Sequence, residues 1–252
     1  EAVGVSLLWS QLNPVHEQRV VELFEEHAPE ITVSMSADVC PIIREYRRAS
    51  ATAINASLED LVNEYLTELE RRLEARGFGG EALVMTANGG VMHIPEITEI
   101  PIWLVDAGPT MFPVAAATIT EAVLGKNDVI ALDMGGTSLD MGVVQDGTIP
   151  RSRESTVEGD HMLGIEKIDI TSIGSGGGSI ARVDPGGLIH VGPESAGADP
   201  GPACFGRGGT HPTVTDATLV LGYLRDGAVL GEDVTLDRSK AVSAIEETVS
   251  DP

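Results

Sequence analysis

Eight consecutive residues constrain this chain more than any others: Asp133-Met134-Gly135-Gly136-Thr137-Ser138-Leu139-Asp140. An apolar run at 129–132 precedes them, and a second, 139–144, overlaps their end. Gln145-Asp146-Gly147 then reads as a hairpin turn. The pattern is strand, glycine turn, strand. Adjacent glycines let the backbone approach an anion and aim N–H groups at it. Thr137 and Ser138 add hydroxyls. Asp133 ends a buried strand, where it can hold a divalent cation directly or through water, and Asp140 adds a second carboxylate. A tight hairpin with a structural aspartate is the plainer alternative. The strands on both sides favour an anion or metal site.

A second glycine cluster lies further on, in Ile168-Asp169-Ile170-Thr171-Ser172-Ile173-Gly174-Ser175-Gly176-Gly177-Gly178-Ser179-Ile180-Ala181. Three glycines in a row forbid a regular strand and permit close contact with a ligand. Ser179 is expected to cap a helix N-terminus. The apolar flanks argue against a flexible linker. Residues 191–204 are turn-rich and carry little chemistry, and Cys204 reads as a small buried thiol with no activating neighbour. Thr215-Asp216 reads as a helix start, with Asp216 favoured there by the helix dipole. His93, His161, His190 and His211 lack metal-ligand spacing.

Around these motifs, helices are expected from 13 to about 27, through Ile54, Leu58, Leu61, Val62, Tyr65, Leu69 and Leu73 to Gly77, and over 112–124, 215–224 and 239–249. Strands are expected over 31–36, 82–86, 102–105 and 148–157, with loops dominating after Gly174. This mixture implies α/β or α+β layers. With 39 acidic against 16 basic residues, the net charge of −23 repels nucleic acid and anionic membrane. Either a solvated surface or salt adaptation accounts for that acidity. The two cysteines, Cys40 and Cys204, and the lack of a membrane-length apolar run imply a cytoplasmic chain with reduced thiols. The chain starts without Met on an apolar strand and is expected to be a fragment.

Taken together, these residues resemble the hydantoinase A / 5-oxoprolinase family. The resemblance rests on Ser6-Leu7-Leu8 with Asn13-Pro14, Ile43-Arg44-Glu45-Tyr46 with Arg48, Asn88-Gly89-Gly90, the two glycine clusters, Val191-Gly192-Pro193, Gly201-Pro202-Ala203-Cys204 and Thr213-Val214-Thr215-Asp216-Ala217, in family order. It implies an α/β fold of the ribonuclease-H-like (actin, sugar kinase, heat-shock ATPase) type, with a layered mixed sheet and helices. Residues 1–125 would complete a first half and 126–252 form part of a second. It further implies an ATP-dependent enzyme that opens a cyclic amide (hydantoin, N-methylhydantoin or 5-oxoproline) by phosphorylating a carbonyl or enolate oxygen before water attacks. Related subunits carboxylate ketones, and a non-catalytic assembly role is the third alternative. A hydantoinase B-type partner subunit or domain and an oligomer are expected.

On this reading Asp133 and Asp140 are catalytic. Gly135, Gly136, Thr137, Ser138, Gly176, Gly177, Gly178 and Ser179 bind ATP. Asp133, Asp169 and Asp216 ligate Mg2+ or Mn2+. The family's other phosphate loop, near its N-terminus, is absent from this chain. Asp106-Ala107-Gly108-Pro109-Thr110-Met111-Phe112 replaces a Ser-Gly-Pro-Ala-Gly-Gly stretch, Thr171 stands where a His is common, and Leu139 replaces a usual Thr.

Overall fold

The computed structural model describes residues 1–157, 160–231 and 233–250. It divides into unit 1, residues 1–129 and 143–169, and unit 2, residues 130–142 and 170–252. These units do not follow the expected division at 125/126, because 143–169 packs with unit 1.

Unit 1 opens with β1 (Ala2–Val5), α1 (Val15–His27) and β2 (Thr32–Met35), the two strands parallel. The apolar alternation of the strands and Pro14 ahead of α1 produce this unit as the sequence predicts. A four-residue α2 (Ser36–Val39) leads to α3 (Glu45–Ala75). α3 starts well before Ile54 because its N-cap is Arg44, at φ 88°, rather than a Ser, Thr, Asp or Asn that would mark the start. β3 (Leu83–Met85) and β4 (Val91–His93) form an antiparallel hairpin, and Gly89 in its turn has φ +83°. α4 (Ile94–Glu99) and α5 (Ala107–Leu124) follow.

The strand expected over 102–105 is a 3-10 turn, Pro101–Leu104, with Pro101 in its first turn and the Ile102 N–H held by Asn55 Oδ1 at 3.2 Å. A short apolar run does not distinguish the two states. Val39, Cys40, Ala51, Ala87, Ile102, Leu163 and Ile165 form the unit's main core cluster.

A buried polar network ties the start of unit 1 together. Glu17 and Arg48 are both 0% exposed. The Ser36 hydroxyl donates to Glu17 Oε1 at 2.7 Å and accepts from Arg48 Nε at 3.0 Å, bridging the two charges. Glu17 also accepts from the N–H groups of Leu7 and Ala37, and Arg48 donates to the Leu7 and Ile42 carbonyls and to Gln11.

The chain then runs through β5 (Val129–Met134) and β6 (Leu139–Val144). Pro150 and the polar Arg151-Ser152-Arg153-Glu154 interrupt the third strand expected over 148–157. Short ladders form there instead, β7 (Arg151–Ser152) with β10 (Lys167–Ile168) and β8 (Thr156–Val157) with β9 (His161–Met162). The third strand of the sheet is β11 (Ile170–Ile173), antiparallel to β6.

Unit 2 continues with a hairpin of β12 (Ser179–Val183) and β13 (Ile189–Ser195) where loops are expected. Ser179 therefore begins a strand and caps no helix. α6 (Val214–Val220), the hairpin β14 (Val229–Leu230) with β15 (Val234–Thr235), and α7 (Arg238–Ile245) complete it around Cys204, Leu219, Val234, Leu236 and Ala241. No helix among the described residues is long and apolar enough to cross a membrane.

Candidate functional site

The site forms within unit 2, where the two glycine clusters meet. The first lies between β5 and β6 and is closed by the Gly135 N–H donating to the Ser138 carbonyl at 2.9 Å. The second, between β11 and β12, lies along it: Gly177 N–H donates to Gly135 O at 2.9 Å and Gly178 N–H to Gly136 O at 2.6 Å. Such an approach requires bare backbone. A Cβ on Gly176 would stand 2.6 Å from the Thr137 and Ser138 nitrogens, and one on Gly178 3.0 Å from Gly136 O. The N–H groups of Gly136 and Thr137 make no backbone hydrogen bond among the described residues, which leaves donors for an anion.

A cavity of about 640 Å³ opens beside this double loop. Gly135, Gly136, Thr137, Gly177 and Gly178 line it on the loop side. Pro202, Phe205, Val214, Tyr223 and Leu224 supply apolar wall. One cavity thus offers polar backbone and a flat apolar surface together, as organic phosphates require.

α6 holds this wall in place. Thr215 donates its N–H and its hydroxyl to the Gly177 carbonyl, each at 2.8 Å. Thr213 and Asp216 form a capping box at the helix start, two residues before Thr215-Asp216. Asp216 is 0% exposed. Its Oδ1 accepts from Cys204 N–H at 2.7 Å; its Oδ2 accepts from the Thr213 N–H and hydroxyl at 2.8 and 2.7 Å and from Ala203 N–H at 3.3 Å. Burial first, and then the bonded Asp216 carboxylate, push the Cys204 thiol up to about 12.

The expected site residues therefore separate. Gly135, Gly136, Thr137, Gly177 and Gly178 face the cavity. Gly176 is buried beneath the first loop, and Ser179 is 0% exposed with its hydroxyl accepting from Gly176 N–H at 2.9 Å, so both shape the cradle from behind. Asp133 is exposed at the end of β5; Asp140 is half-buried on β6 and accepts from the Ser172 hydroxyl across the ladder. Asp169 belongs to unit 1, and both oxygens of Asp216 are already occupied by donors. Among the described residues no three His, Cys, Asp or Glu side chains gather into a metal site. Sequence reasoning missed Phe205, Val214, Thr218, Tyr223 and Leu224, all of which line the cavity. Val214 stands in the Thr213–Ala217 run that carries the family resemblance and Thr218 follows it on α6, whereas Phe205, Tyr223 and Leu224 lie outside that helix and read locally as core residues.

The sequence model of the family described as Hydantoinase/oxoprolinase matches residues 48–252. The chain belongs to this family. Among its relatives, the caprolactamase subunit alpha of Pseudomonas jessenii is 38% identical over the whole of this chain and 36% of its own length. The acetophenone carboxylase gamma subunit of Aromatoleum aromaticum is 36% identical over the whole chain and 35% of its own length. The crystal structure of the ATP-dependent caprolactamase from Pseudomonas jessenii superposes with a TM-score of 0.82 at 38% identity, covering 98% of this chain and 35% of that one. This hydantoinase/oxoprolinase chain thus spans about a third of the length of these relatives, and it has their mixed α/β, ribonuclease-H-like fold, as the sequence leads one to expect.

Proposed function

We propose that this chain supplies one side of the ATP site in an enzyme that opens a cyclic amide of the lactam, hydantoin or 5-oxoproline type. The observation that carries this reading is the double glycine loop, which lines the apolar-walled cavity and whose Gly136 and Thr137 N–H groups make no backbone hydrogen bond among the described residues. The residues present fit a nucleotide: the backbone donors suit phosphates, and Phe205, Tyr223 and Leu224 suit a base. Mg2+ takes one or two carboxylates and completes its shell with phosphate oxygens and water. Asp133 and Asp140, at the two ends of the first loop, would supply those carboxylates; Asp216 is left out because it is fully buried and both its oxygens already accept hydrogen bonds. When bound, ATP with its metal supplies phosphoryl activation of an amide oxygen.

The chain's own contribution is positional. The double loop fixes N–H donors where charge accumulates, at no reorganisation cost during reaction. The Ser172 hydroxyl orients Asp140 from the neighbouring strand. The apolar wall excludes water from one side of the cavity. The name of the caprolactamase relative favours the cyclic-amide reading over ketone carboxylation; the acetophenone carboxylase gamma subunit supports the second. Both relatives are named as subunits, which supports a partner chain.

The test is ATP turnover by the complete enzyme with its partner, supplied in turn with caprolactam, 5-oxoproline, hydantoins and ketones. ADP release that requires a lactam or hydantoin is the expected result. Bicarbonate-dependent turnover with a ketone would replace this reading by the carboxylase one. No turnover with any of them would leave an assembly role.

A further inference from the structure

We propose that Asp216 is a positioning residue for nucleotide binding, tying the apolar wall of the cavity to its glycine cradle; this rests on the ATP reading above. A capping box needs only the Thr213–Asp216 exchange at the start of α6. Asp216 reaches further. It also accepts from Cys204 N–H at 2.7 Å and Ala203 N–H at 3.3 Å, so one carboxylate caps both α6 and the 3-10 turn Ala203–Phe205. These two turns carry different parts of the wall: Phe205 sits on one, Val214, Thr215 and Thr218 on the other.

From α6 the path runs on to the cradle. Thr215 holds the Gly177 carbonyl with two bonds, and Gly177 N–H holds Gly135 O. Thr215 is the chain neighbour of Asp216, so the helix start that Asp216 caps is joined through Thr215 and Gly177 to the first glycine loop. Asp216 is fully buried and has no salt-bridge partner among the described residues. A buried anion held by neutral donors alone is costly unless its geometry is fixed. An isosteric amide satisfies one side only. With its oxygen toward Thr213 it presents an N–H to the Cys204 N–H; reversed, it holds the turn and uncaps α6.

The test compares Asp216→Asn with Thr213→Ala in the complete enzyme. Thr213→Ala weakens the cap but keeps the Asp216 bonds to Ala203 and Cys204. The expected result is an ATP KM raised at least about tenfold in Asp216→Asn, with kcat at saturating ATP and the KM of the organic substrate unchanged, and an ATP KM within about twofold of wild type in Thr213→Ala. A lowered kcat with unchanged ATP KM, or equal KM shifts in both variants, would assign Asp216 a purely structural role and overturn the proposal. Should Asp216→Asn not fold, amide exchange in the wild type decides. Saturating ATP should slow exchange at the Ala203 and Cys204 N–H groups, and unchanged exchange at both overturns the coupling. Failure of the wild-type enzyme to bind ATP at all removes the nucleotide reading and this inference with it. Wild-type binding with no difference between the variants removes the inference alone.

Discussion

Replacing Gly176 with alanine probes the double glycine loop most directly. The added Cβ would lie 2.6 Å from the Thr137 and Ser138 nitrogens and 2.7 Å from the Gly136 carbonyl carbon. All three are backbone atoms, so no side chain can swing aside. Ordinary contact begins near 3.4 Å, which requires the loops to part by about 0.8 Å. The bonds Gly177 N–H to Gly135 O and Gly178 N–H to Gly136 O, at 2.9 and 2.6 Å, would stretch by a similar amount. Overpacking of this kind costs about 1–3 kcal/mol, and two weakened hydrogen bonds add about 0.5–1.5 kcal/mol each. The expected destabilisation is about 2–6 kcal/mol, a fall in Tm of roughly 4–24 °C by calorimetry at about 2–4 °C per kcal/mol. Gly136→Ala is the counterpart, since a Cβ there meets nothing within 4 Å. It should leave Tm unchanged, yet weaken ATP binding in a fluorescence titration because the methyl group enters the cavity. A Gly176→Ala enzyme with wild-type Tm and wild-type ATP affinity would refute the reasoning.

Three further outcomes follow from the same geometry. Asp133→Asn should abolish Mg2+-dependent ATP turnover while the protein stays folded; unchanged turnover in a phosphate-release assay would remove its metal role. The Cys204 thiol is raised from its ordinary 9.0 to about 12, so the folded state favours the protonated form, and stability should fall as pH rises through that window; in Cys204→Ala the alkaline limb of a chemical-denaturation series should be flatter than in wild type. Arg48→Ala leaves the Glu17 carboxylate buried without its bridged counter-charge and should destabilise unit 1 by about 3–5 kcal/mol in urea unfolding.

Much of this architecture is legible in the sequence because its signals are local. The glycines at 135–136 and 176–178, Pro14 before α1, and the apolar periodicity of α3 act within a few residues of where they stand. What escapes is set by distant partners. The run 102–105 has the composition of a strand, but Asn55 takes its first N–H and Pro101 sets its turn. The third strand beside β6 is β11 rather than 148–157, since pairing depends on which segment returns to the sheet and not on proximity in sequence. Asp216 is conspicuous as an acidic residue near a helix start, but its bonds to Ala203 and Cys204 span 13 and 12 residues and are invisible to any local pattern. The cavity wall is hidden for a related reason: Phe205, Tyr223 and Leu224 resemble core residues until the fold leaves them beside the loops.

The absence of side chains where the two loops meet has a genetic corollary. Every single-base missense change in a glycine codon installs a residue bearing a Cβ. At Gly176 no such replacement is mild, because the first atom added meets the opposing backbone at 2.6 Å; at Gly178 it meets the Ser195 hydroxyl at 2.8 Å and Gly136 O at 3.0 Å. Variation can therefore accumulate in the apolar wall, one codon at a time, and reshape the cavity, while the Gly176 codon is held to silent change.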